Sequence, residues 1–286
     1  MYISGFIKQR PVLAFYVLTF AISWAGILVA VGPGGFPLNP AQIGKMLPLL
    51  IVAMLAGPSA ACILLTGVVS GRTGYRDLLS RLLKWRVGIG WYAIALLGAP
   101  LLMTALFLTL SLRFPGFMPR IFTESNKGPI LAMGLAVGLV AGIFEELGWT
   151  GFVIPRLRLR CGSLNTGLIV GFLWGAWHLL VNFLSSGTPS GKLSVPSLLG
   201  SVIFSVGTLP SFRVLMVWVW DHTNSLLVAM LMHFSLTAGS ILFGPSAAPG
   251  MMGIAWNLVL AAGLWVVVAA CAAADGRCRP MRSVHA

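Results

Sequence analysis

The stretch Ala141–Arg160, AGIFEELGWTGFVIPRLRLR, places two adjacent carboxylates, Glu145 and Glu146, at the end of an apolar or small run that begins at Pro129. Three arginines, Arg156, Arg158 and Arg160, close it. The whole chain has only six carboxylate side chains, at Asp77, Glu124, Glu145, Glu146, Asp221 and Asp275. Two of them therefore fall where the surrounding residues call for hydrocarbon.

The composition bears this out around the stretch. Of 286 residues 58% are apolar and 9% charged, with a mean hydropathy of +0.93. Soluble domains run nearer about a quarter charged, and no core of this size hides so much apolar surface. A membrane span needs about 20 mostly apolar residues. Eight stretches qualify: Pro11–Val31, Met46–Val69, Gly90–Leu112, Pro129–Ile154, Leu164–Leu184, Pro196–Trp220, Asn224–Leu242 and Met252–Ala274. They are too long and continuous for barrel strands, and in hydrocarbon only helices or closed barrels satisfy the backbone. The expected fold is an all-α polytopic membrane bundle of about eight transmembrane helices with an intramembrane polar site. Residues 1–286 form a single membrane domain, and 129–242 form a core that carries the polar motifs.

The formal charge of +13 could suggest a nucleic-acid partner, but its distribution argues against one. Eight spans return both termini to one face. By chain order that face carries 14 of the 19 basic residues, and the other has Lys45, Arg113, Arg120, Lys127 and Lys192. The bias places both termini in the cytoplasm, in an integral protein expected in a bacterial cytoplasmic membrane. A basic loop from Arg72 to Arg86 is expected to touch anionic lipid heads. The first apolar run exceeds a signal-peptide h-region, and nothing soluble follows it. Cys62, Cys161, Cys271 and Cys278 lack metal-ligand spacing, and by this topology disulfides are not expected. The ending SVHA, with His285, is not a CaaX box.

Ionisable groups within spans are costly and mark function by default. Adjacent residues on a helix point about 100° apart, so Glu145 and Glu146 can have different tasks. One can face a cavity while the other anchors to a neighbouring helix. Alternatively, Gly148, Gly151 and Pro155 could end the helix early and leave both solvated. If buried, a desolvated carboxylate can act as a general base near neutrality. His178 lies in FLWGAWHLLVNF, with Trp174 one turn before it and Asn182 one turn after it on the same face. His233 lies in SLLVAMLMHFSLTAGS, with Thr237 one turn on. A threonine in a span can simply bond back to its own helix, or the pair can present two donors to one oxygen.

These residues resemble the CPBP family of CaaX-protease and bacteriocin-processing intramembrane endopeptidases, also called Abi. The family shows three blocks in order. EExxxR appears here as Glu145-Glu146-Leu147-Gly148-Trp149-Thr150. FxxxH appears as Trp174-Gly175-Ala176-Trp177-His178, and HxxxN as His233-Phe234-Ser235-Leu236-Thr237. The resemblance implies eight spans and a site opening to the cytoplasmic side. In one branch of the family an activated water cuts prenylated CaaX proteins. Carried over by position, the catalytic residues are Glu145 as general base, Glu146 as its helper, His178 to orient the water, and His233 to bind the scissile carbonyl. Thr237 takes the oxyanion position. Trp174, Asn182 and Arg213 support them. Glu145, His178 and His233 could hold zinc with an open position, or work without metal. Membrane lipid and a peptide or membrane protein are the implied partners.

This sequence departs from the pattern at two places. Thr150 stands where the family has Arg, and Thr237 where it has Asn. Arg213 could supply the missing charge from another helix, or snorkel to the interface near Asp221. The departures keep a non-catalytic immunity or scaffold protein of the same fold open. The Glu and His residues keep a proton-coupled transporter open, although paired inverted repeats with broken helices are not seen.

Overall fold

The computed structural model describes residues 3–33, 36–244 and 250–278. Arg279, Arg282 and His285 lie outside the described residues, and so does the SVHA ending. Among the described residues, eight helices are long and apolar enough to cross a membrane: Pro11–Val31, Pro40–Leu82, Ile89–Ser111, Lys127–Leu157, Ser163–Leu184, Val195–Thr223, Leu226–Phe243 and Met251–Asp275. We number these the first to eighth spans. A short helix, Ile3–Gln9, precedes them. Among the described residues there is no strand, only an isolated bridge between Gly187 and Leu193. The molecule is the all-α polytopic bundle that its composition requires.

Local chemistry sets the helix ends. Asn39 and Gln42 form a reciprocal capping box at 2.9 Å each, with Pro40 in the first helical position. Ser225 caps the seventh span through Val228 N–H at 3.2 Å. Asn224 stops the sixth in the left-handed region at φ 48°, where asparagine is tolerated.

The second span differs most from expectation. It begins earlier, at Pro40, and runs to Leu82. Gly71 breaks its path at φ 56°, ψ −144°, a conformation open to glycine because it lacks Cβ. The expected basic loop from Arg72 is therefore largely helical. Tyr75 folds it back on the span by donating to Ile63 O at 2.7 Å.

Two pairs of spans hold the polar residues, and glycines spaced every four positions bring each pair together. Gly134, Gly138 and Gly142 of the fourth span face the seventh. A Cβ on Gly142 would lie 2.6 Å from Met230 O, and one on Gly138 would lie 2.9 Å from Phe234 O. Gly167, Gly171 and Gly175 of the fifth span face the sixth, where side chains would strike the backbone of Val214, Pro210 and Ser205. Small residues allow such close approach where lipid supplies no hydrophobic drive between helices. Two wide π-turns interrupt these spans, Trp149–Val153 directly after the Glu pair and Phe204–Thr208 before Arg213.

Connections define two faces of the bundle. On the face that holds the termini, Ser225 donates to Lys84 O at 2.7 Å and Arg158 pairs with Asp221 at 2.8 Å. On the opposite face, Leu38 N–H donates to Leu184 O at 2.9 Å and Arg120 N–H to Gly244 O at 3.0 Å.

Candidate active site

Because the fourth span continues into the π-turn, the helix does not end early and the Glu pair is not solvated. Glu145 is 4% exposed and Glu146 0%. Their side chains diverge as the helix period requires. Glu145 lines a chamber of about 400 Å³ between the second, fourth, fifth, sixth and seventh spans. Glu146 points away from it, into the bundle.

Four donors converge on Glu146. Arg213 gives both terminal nitrogens, Nη1 to Oε2 at 2.7 Å and Nη2 to Oε1 at 2.9 Å. Thr150, one turn on, donates its hydroxyl to Oε2. His233 Nδ1 lies 2.7 Å from Oε1. Of the two positions the sequence leaves open to Arg213, the structure has the buried one, at 0% exposure. Its guanidinium also lies 4.2 Å over the Trp174 ring, a cation–π contact. A buried charge demands a partner, and the fork matches a carboxylate bidentately.

Glu145 accepts from two indoles. Trp174 Nε1 donates to Oε2 at 2.7 Å, and Trp149 Nε1 to the same oxygen at 3.3 Å. Its Oε1 lies 3.9 Å from His233 Nε2. His233 thus links the carboxylates, with Nδ1 on Glu146 and Nε2 toward Glu145. Trp174 stacks edge-on against it at 5.0 Å. His178 Nδ1 is 2.9 Å from the Trp174 carbonyl. A carbonyl only accepts, so Nδ1 carries the proton and Nε2 keeps a lone pair. His178 lines the same chamber, as do Asn182 and Thr237. Asn182 donates to Ser205 Oγ at 3.0 Å, within the second π-turn.

The sequence reading missed Trp149, although its spacing of four from Glu145 is the signal that finds it. It named Trp174 only as a supporting residue one turn before His178 and missed its indole donor. His222 belongs elsewhere, stacked on Trp91 at 5.1 Å.

For zinc, the donors do not gather. Among the described residues no group of three His, Cys, Asp or Glu is placed to hold a metal ion, and Glu145 Oε2 is already engaged by two indole N–H groups.

The chamber also has a direction. It extends from Glu145 and His233 past Asn182 to Ser185 and Leu47, near the face opposite the termini. The sequence reading placed the termini in the cytoplasm, and the family resemblance placed the opening on the cytoplasmic side.

Eight spans that bury Glu, His and Arg beside one chamber define a class: a polytopic membrane protein with a polar cluster inside the bundle. Residues 127–239 match the Rce1-like family, described as type II CAAX prenyl endopeptidase Rce1-like. A stretch of 97 residues is 26% identical to CAAX prenyl protease 2 of Methanococcus maripaludis, covering 34% of this chain and 35% of that protein. The chain thus spans about a third of the length of the curated relative it matches. Over this segment the chain is similar to the Rce1-like CAAX-protease family, in keeping with the wider group that the three motif blocks resemble.

Proposed function

We propose that the protein is an intramembrane endopeptidase that cleaves membrane-associated substrates of CaaX type with a water activated by Glu and His. The observation that carries this is the split of the adjacent carboxylates. One faces a chamber 3.9 Å from an imidazole, and the other is held behind it by a bidentate arginine.

Glu145 removes a proton from water while His178 Nε2 accepts the water's second hydrogen and aims its lone pair. The oxygen attacks the scissile carbonyl carbon, and the C=O electrons move onto oxygen. In its doubly protonated form His233 donates Nδ1–H to Glu146 and Nε2–H to that oxyanion, with the Thr237 hydroxyl as a second donor. As the C–N bond breaks, Glu145 returns its proton to the leaving amine. Glu146, Arg213 and Thr150 hold His233 in the required orientation without touching substrate. In this reading Arg213 supplies the charge that Thr150 lacks.

The test is cleavage of a quenched, membrane-partitioned CaaX peptide by purified protein. Glu145→Gln keeps the shape and removes the base, so kcat/KM should fall by about 10² or more at equal folded yield. Full activity in that variant, on a peptide the parent cuts, refutes the reading.

A further inference from the structure

A second cavity, also of about 400 Å³, lies among the ends of four elements. The short helix Arg120–Thr123 borders it, as do the start of the sixth span at Pro196 and Ser197, the end of the seventh at Ser240 and Gly244, and the start of the eighth at Gly250 and Gly253. Span ends mark the level of lipid headgroups. Arg120 keeps 41% of its side chain exposed there, so it stands at the mouth.

The polar lining is rich in donors. Among the described residues no carboxylate lines the cavity. Glu124 takes Arg120 Nε at 3.2 Å and leaves both terminal nitrogens of the fork. Trp256 is 5% exposed, and its Nε1–H has no acceptor among the described residues. The buried hydroxyl of Ser240 has no partner there either. Such groups are costly to leave unmet, and native structures rarely do so. Asn257 gives its amide N–H groups to Gly200 O and Gly253 O at 3.0 Å each. Its Oδ1 is the only lining side-chain atom that accepts without also donating. The eighth span begins at Met251, and the N–H groups of a first turn lack intrahelical partners and carry the positive end of the helix.

We propose that this cavity seats the headgroup of a glycerophospholipid, with the phosphodiester at Arg120 and the ester carbonyls at the buried donors. The order of the chemistry favours that ligand. A cation stands at the mouth, where a guanidinium fork suits a phosphate bidentately. Neutral donors follow at Ser240 and at Trp256, five residues into the eighth span, or about 8 Å along it. Phe204, nine residues and about 14 Å into the sixth span, joins Met133 and Ile241 as apolar lining for the upper acyl chain. The volume suits a small molecule rather than a lone ion. Beside it Val195 and Leu199, 57% and 48% exposed, give the apolar surface on which chains can lie. The site is separate from the Glu–His cluster and does not rest on the protease reading. Phe204, Ser240 and Ile241 also line the first chamber, so a lipid seated here would form part of its wall.

The test is titration of the purified full chain, in a maltoside detergent free of phosphate, with dioctanoyl phosphatidylglycerol, read by native mass spectrometry. One lipid should bind tightly per chain. Arg120→Gln should weaken that binding about 10-fold or more, as expected for hydrogen bonds to a charged group. Trp256→Phe keeps a ring to stack on Phe107, now at 4.9 Å, and removes only the N–H, so it should weaken binding about 5-fold. Dioctanoylglycerol, which lacks the phosphate, and inorganic phosphate, which lacks the esters and chains, should each bind at least about 10-fold more weakly than the lipid. The two variants act on separate donors, so either one that folds carries the test, and unchanged affinity in a folded variant overturns the proposal. Inorganic phosphate binding as tightly as the lipid would make this an ion site. A peptide acid that displaces the lipid where its C-terminal amide does not would make it a polypeptide subsite. Either result overturns the lipid assignment.

Discussion

Arg213 shows what a single buried charge commits the molecule to. Its removal leaves Glu146 inside the bundle with a hydroxyl and one imidazole as partners. Breaking a buried pair in this way costs about 3–5 kcal/mol, so Arg213→Met should lower the thermal midpoint in detergent sharply. Arg213→Lys keeps the charge but loses the fork and should fall between the two. Adding Thr150→Arg to Arg213→Met returns a cation one turn from Glu146, and recovery of the midpoint would trace the loss to charge. Glu145→Gln should leave the midpoint close to the parent's, because a carboxamide oxygen still accepts from the indoles. Thr237→Ala removes one neutral donor and should cost activity about 5-fold, in line with about 1 kcal/mol for such a bond. The Glu and His residues were legible in the sequence because charge in hydrocarbon is costly. Their partnerships were not. Arg213 lies 67 positions from Glu146, and no local period links them. The indole donors were hidden because a tryptophan in an apolar run reads as packing.

At the level of helices, the glycine spacing determines how closely the spans carrying those residues approach. Gly175→Leu would drive a side chain into the Ser205 backbone, so it should abolish folded yield. Gly98→Leu, in the third span with nothing within 4 Å of its Cβ position, should be tolerated. Size-exclusion recovery of the two variants checks this. Span positions were readable from apolar runs, and most ends agree to within a few residues. The second span was not, since its continuation past Val69 is polar enough to read as a loop, and only the folded chain shows that a helix resumes directly after the break at Gly71. The fourfold glycine spacing is present in the sequence, but glycine alone does not say which helix it faces.

For the whole molecule, lipid is the solvent and the exposed apolar belt is the consequence. Leu101, 62% exposed in the middle of the third span, contacts hydrocarbon, whereas Leu112, 88% exposed, lies just past that span's end. An arginine near the centre of a span costs about 2.5–3.5 kcal/mol on insertion. Leu101→Arg should therefore reduce the membrane-inserted fraction, and Leu112→Arg should not, as carbonate extraction would reveal. The number of spans follows from composition alone. The course of the chamber does not, because it depends on which aromatic rings close one end.

The two wide turns have a consequence for counting. In each, a backbone N–H reaches back five residues, Ile154 to Trp149 and Leu209 to Phe204, where an α-helix reaches back four. Each turn therefore holds one residue more than a regular helix would. A relative with regular helices there would align to this chain only through a one-residue gap at each place. Without those gaps, positions beyond Val153 would be matched one step out of phase and positions beyond Thr208 two steps, so Arg213 would be compared with a residue about 200° away around its helix.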